Sequence, residues 1–157
     1  MNPLTVTRSI RIQASVDRVW SSLATGDGLA RWLADDVEVD VVPGGAGRAV
    51  ELDEAARRIV VTEVLDGQRL GFTWWRETEP DDASQVVISI DGGNGDATTV
   101  TVVETLAPAA RRAAGAIGAC SDSIATARVD QLIVVDLAWR SRLEVLAGAF
   151  VAVAAGA

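Results

Sequence analysis

The chain has 157 residues, 49% of them hydrophobic, and a net charge of −8. That describes one ordinary globular domain with a proper core, whose acidity opposes binding to nucleic acid or to an anionic membrane surface. It contains no His, Tyr or Lys, so its 14 cations are all Arg, which removes imidazole catalysis, the Ser-His-Asp triad, Schiff-base lysines and the phosphate-loop lysine together.

Residues 5–14, TVTRSIRIQA, alternate with Val6, Ile10 and Ile12 in phase and predict a first strand. Ser15 is a natural N-cap for SVDRVWSSL, where Val16, Val19, Trp20 and Leu23 share one helix face. After TGDG, Asp27 is expected to cap a second short helix, GLARWLA, with Leu29, Trp32 and Leu33 on one side. From Asp36 to Leu106 the period changes to two. VEVDVV, GRAVEL, RRIVVTEVL, RLGFTWW, SQVVISI and TTVTVVETL read as six strands joined by short turns, and hence as an antiparallel meander to which the first strand adds a seventh.

Residues 107–125 are rich in Ala, Gly and Ser and predict a loop carrying at most a short helix. From about Ala125 a long helix is expected, with Leu132, Val135, Trp139, Leu143, Leu146, Phe150 and Val153 as its apolar stripe. Asp136 with Arg140, and Arg140 with Glu144, would form opposite-charge pairs along it. The β-branched run Ile133, Val134 and Val135 disfavours a helix and requires burial to hold it. The tail VLAGAFVAVAAGA is too short to span a bilayer, and MNPLTVTRSIRIQ lacks a signal-peptide apolar run. With the single Cys120 read as a free structural thiol, the expected location is the cytoplasm. One domain, residues 1–157, accounts for the whole pattern.

Several apparent motifs carry no chemistry. PGGAGR lacks the Lys-Ser/Thr of a phosphate loop and reads as a hairpin turn. DGGNGD has Gly where a calcium loop needs ligands, and the adjacent Asp residues of EPDDA read as solvated. Without His, a zinc site has no donor set, and no cofactor is expected.

The order of strand, two short helices, six antiparallel strands and long helix resembles the helix-grip arrangement of the START/SRPBCC superfamily. SIRIQASVDRVWSSLA, GLARWL, the Gly44 and Gly45 turn, VTEVLDGQRLGFTW, ATTVTVVET and AWRSRLEVLA look like its heat shock protein 90 ATPase activator homologue branch. These pieces cover most of the chain outside residues 107–125. The resemblance implies an α+β fold in which a curved seven-stranded antiparallel sheet wraps around the C-terminal helix, with an apolar cavity between them. The eukaryotic co-chaperone of this branch has a separate N-terminal domain for which this chain has no room, and the Gly-Trp pair near the start of the family's helix is replaced by Ala138-Trp139 inside the helical pattern.

The expected function is therefore non-catalytic binding of a small hydrophobic or amphipathic molecule. The expected lining is Trp32, Leu70, Phe72, Trp74, Val100, Val102, Glu104 and Trp139, with Glu104 orienting the ligand at a position where the family often has a polar residue. A co-chaperone-like interaction protein is one alternative, with Trp75 on the outer sheet face as contact for a chaperone or a second copy. A polyketide cyclase-like enzyme is another. It would use Glu104 and Glu63, each in phase with inward apolar residues, as an acid/base pair, although either carboxylate could instead pair with an Arg such as Arg69.

Overall fold

The computed structural model describes residues 4–51, 56–78, 80, 83–92, 97–106 and 121–155, the side chains of 121–131, 149 and 151–155 excepted. The alternating segments form strands β1 (Thr5–Ile12), β2 (Asp36–Val39), β3 (Ala46–Val50), β4 (Arg57–Leu65), β5 (Arg69–Arg76), β6 (Ser84–Gly92) and β7 (Thr98–Thr105). They make one curved antiparallel sheet in the order β1-β7-β6-β5-β4-β3-β2. Helices α1 (Val16–Ser21) and α2 (Gly26–Leu29) connect β1 to β2, and α3 (Ser121–Ala155) follows β7. This is the expected helix-grip architecture.

The inner sheet face is read directly from the period of two. Ile59 and Val61 on β4, Leu70, Phe72 and Trp74 on β5, Val86 and Ile88 on β6, and Val100, Val102 and Glu104 on β7 are all nearly inaccessible. Trp139, Leu143, Leu146 and Phe150 of α3 join them in one continuous core, each such side chain contributing about 1.5–3 kcal/mol of burial. Leu132 and Val135 pack against its edge, as the stripe predicts. The PGGAG segment is a turn, with Gly44 at φ 84°. It folds back on β4, where Gly44 N–H donates to the Val61 carbonyl (2.8 Å) and Val61 N–H to that of Gly45 (2.7 Å).

Five expectations change. Helix α3 already includes Ser121, ahead of the expected start near Ala125, and Ser121, Asp122 and Ser123 are residue types at home in the first turns of a helix. Thr25, not Asp27, caps α2: its Oγ1 accepts from Gly28 N–H at 2.9 Å, and Asp27 falls inside the first turn. Ile133 and Val134 are 52% and 59% exposed, since only Val135 of that run projects toward the sheet. Asp136 accepts its two short bonds, 2.5 and 2.6 Å, from Arg8 of β1 and feels Arg140 only through its charge, while the Arg140–Glu144 pair forms at 3.3 Å. Finally, β4 carries a bulge between Val61 and Glu63, which inverts the phase. Val64 then faces the core and Glu63 turns outward to Arg69.

The proposed loop at 107–120 with Cys120, residues 53–55 and 93–96 of the turns, Asp81 and Asp82 of the acidic loop, and the side chain of Val153 lie outside the described residues. Among the described residues no helix is long and apolar enough to cross a membrane.

The Arg8 contact holds the Asp136 carboxyl below its ordinary range, chiefly through the side-chain hydrogen bond. A depressed folded value contributes stability above about pH 4, the unfolded range, and this is lost as pH falls through the folded value. Asp136→Asn is expected to lower the urea midpoint at pH 7 and to flatten its decline below pH 4. Parallel pH profiles for variant and wild type would show that the tie between β1 and α3 carries no weight.

Candidate functional site

Strands β5 and β7 flank β6, and Trp74 lies opposite the small Ser84 of β6. Its indole reaches across β6 to Glu104, where Nε1 donates to Oε2 at 2.9 Å. Trp139 arrives from α3, and its Nε1 donates to Oε1 of the same carboxylate at 2.8 Å. Glu104 is 2% exposed, so it exchanges water for two charge-assisted bonds, one from the sheet and one from the helix. The two indoles stack with centroids 5.7 Å apart and planes 28° apart, and Phe72 meets Trp74 edge-on at 5.4 Å. Glu104 therefore has both oxygens engaged inside the protein, and the indoles expected around a ligand contact each other.

Two arginines extend the cluster. The Arg142 guanidinium lies 4.9 Å from the Trp139 ring and 5.1 Å from that of Trp74. Its Nε donates to the Leu33 carbonyl at 3.0 Å, and Nη2 to Glu51 Oε1 at 2.5 Å. Arg57 stands 4.3 Å over Trp74, a cation–π contact that offsets part of its lost hydration. Its Nε is buried with no hydrogen-bond partner among the described residues. Burial first, then the charge of Arg142, lowers the Arg57 guanidinium below its ordinary value. Neither arginine was singled out from sequence, yet the signal was present. Arg57 is in phase with Ile59 and Val61, and Arg142 follows Trp139 by three and precedes Leu146 by four.

Trp32 belongs to a different place. A close approach brings α2 onto α1, since a Cβ on Gly28 would sit 2.6 Å from the Ser21 carbonyl oxygen. Trp32 then donates its Nε1 to the Ser22 carbonyl at 3.0 Å. With Leu146 and Phe150 it lines a cleft of about 190 Å³, whose rim carries Arg18, Ser21, Ser22 and Arg31. Of the eight expected residues, the structure thus brings Trp74, Glu104 and Trp139 into direct contact and leaves Leu70, Phe72, Val100 and Val102 as packed core. Trp32 is set at an accessible cleft. The Glu63–Glu104 pair does not form, because the bulge in β4 sends Glu63 outward. Trp75, opposite Arg58 on the outer face, is half-buried.

Replacing Glu104 by Gln leaves one acceptor and sets an amide N–H against an indole N–H. Glu104→Gln is expected to lose about 1–3 kcal/mol of stability in urea unfolding. A variant as stable as wild type would contradict the bonding described.

Residues 13–131 match the family described as Activator of Hsp90 ATPase homolog 1-like protein. No curated protein matches the sequence. Among solved structures, DynU16, a protein in the dynemicin biosynthetic locus, superposes with a TM-score of 0.66 at 22% identity over 91% of this chain. The chain spans only 45% of DynU16. CalU16 from Micromonospora echinospora gives 0.64 at 20% identity, covering 93% of this chain and 74% of CalU16. Protein BH1534 from Bacillus halodurans gives 0.68 at 21% identity, covering 96% and 99%. At these identities the likeness concerns the fold, and the family match covers most of the sequence: the chain belongs to the Activator of Hsp90 ATPase homolog 1-like family.

Proposed function

We propose that this domain binds a small hydrophobic or amphipathic molecule without transforming it, and that the molecule enters at the cleft between α1, the turn after α2 and α3. The observation that carries the reading is the accessible cleft of about 190 Å³ with an apolar floor of Trp32, Leu146 and Phe150. Concave, mostly apolar sites with a few polar groups at the rim are the usual form of small-molecule sites. Of the eight residues expected to line the site, Trp32 touches the ligand. The other seven belong to the packed core or to the cluster around Glu104. The location of DynU16 in a biosynthetic locus is in keeping with a small-molecule ligand for this fold, and the lone cysteine is in keeping with a cytoplasmic setting.

A non-catalytic role agrees with the placement of the carboxylates. Glu104 is engaged at both oxygens and Glu63 is ion-paired with Arg69 at the surface, so these two carboxylates do not converge on a reacting position.

Tryptophan fluorescence titrated with fatty acids, aromatic polyketides and sterols tests the reading. Binding of at least one class is expected. Ser22→Phe, which fills the cleft from its rim, should weaken it by roughly tenfold or more, while Trp74→Phe should retain it. Binding that survives Ser22→Phe and disappears in Trp74→Phe would move the site to the inner cluster, and no binding of any class would contradict the function.

A further inference from the structure

The distribution of arginines around the molecule is uneven in a way that bears on the ligand. Arg8, Arg48, Arg58, Arg69, Arg140 and Arg142 each have a carboxylate oxygen within 3.3 Å. Among the described residues Arg11, Arg18, Arg31 and Arg57 have no ion-pair partner, and two of these four, Arg18 and Arg31, stand together at the rim of the cleft beside Trp32. Among the described residues no Asp or Glu lines that cleft. In a chain of net charge −8 with 22 acidic residues, an opening edged by two unneutralised cations and no anion is an exception to the surrounding field. It is the arrangement that concentrates a small anion locally.

The apolar part of the cleft meets the cations directly. The Arg18 guanidinium lies 5.7 Å from the centroid of Phe150, so the charge stands beside the aromatic floor. Trp32 has its N–H tied to Ser22 and thus offers the cleft a ring surface with no donor to spare. The volume of about 190 Å³ corresponds to about six waters at roughly 30 Å³ each, and lies below the ~300 Å³ at which drug-sized sites begin. A single ring or a short alkyl chain fits such a space, and a fused polycycle would have to protrude from it.

We infer that the cleft selects an organic anion with a compact apolar body, its carboxylate held by Arg18 and Arg31 and its ring or chain laid on Trp32, Leu146 and Phe150. This rests on the cleft being the ligand site. The planar guanidinium matches a carboxylate in two-point geometry, and the uncharged analogue of the same body loses those bonds while keeping the apolar contact.

Isothermal titration of the wild type with octanoate and with 1-octanol, repeated on the Arg18→Gln, Arg31→Gln double variant, tests the inference. Both arginines are exposed, so the variant is expected to fold. Octanoate should bind the wild type roughly tenfold or more tightly than 1-octanol. The double substitution should bring octanoate down to the level of 1-octanol and leave 1-octanol unchanged. Equal affinity for the two ligands in the wild type, or octanoate binding unaffected by the double substitution, would overturn the anion selectivity while leaving the cleft as an apolar site. Equal loss of both ligands in the variant would overturn it too, and binding of neither ligand to the wild type would defeat the cleft reading as well.

Discussion

A single buried carboxylate joins the two halves of this fold. Glu104 rises from β7 into the space between sheet and helix, and its two oxygens take one indole N–H from β5 and one from α3. An uncompensated carboxylate there would cost several kcal/mol, so the position of Trp74 on its strand and the rotation of α3 about its axis are both tied to it. A helix that merely laid an apolar stripe on the sheet could slide or rotate at small cost. With Trp139 directed at Glu104 and stacked on Trp74, α3 has one register that satisfies all three groups.

Arg142 carries that register outward. One turn beyond Trp139, it touches both indole rings, donates to the Leu33 carbonyl and pairs with Glu51. Leu33 is the neighbour of Trp32, so the segment that floors the cleft is bonded to the same side chain that rests on the inner cluster. The polar groups on the inward face thus act as connectors, while the cleft lined by α1, the turn after α2 and α3 is where we propose that a ligand enters. Trp74 and Trp139 are thus held in the core, and Trp32 at the cleft.

The architecture was legible because each element repeats its period over enough residues. Six alternating runs gave six strands, and the spacing from Leu132 to Phe150 gave the face of α3. Glu104 was legible as an inward carboxylate through its phase with Val100 and Val102, but its partners were not. That Trp74 would reach across β6 depends on the strand order and on a small Ser84 opposite it. Glu63 shows the converse. Its phase is as good as that of Glu104, and a one-residue bulge that no turn residue announces reverses it. Arg57 and Arg142 sit at apolar-phase positions and were passed over because a charged residue there is ordinarily solvated. The aromatic rings that shelter them come from distant parts of the chain. The cleft could not be read locally at all, since α1 and the turn after α2 supply one side of its lining and α3, more than a hundred residues further along the chain, supplies the other.

The central claim, that one carboxylate holds an indole from each side of the grip, is tested most directly by proton–nitrogen correlation spectroscopy of the five tryptophan indoles. The account predicts that the Trp74 and Trp139 N–H signals lie downfield of the others, exchange with solvent only on global unfolding, and both move when Glu104 is replaced by Gln. Rapid exchange of either signal, or a Glu104→Gln spectrum in which both are unmoved, would contradict it.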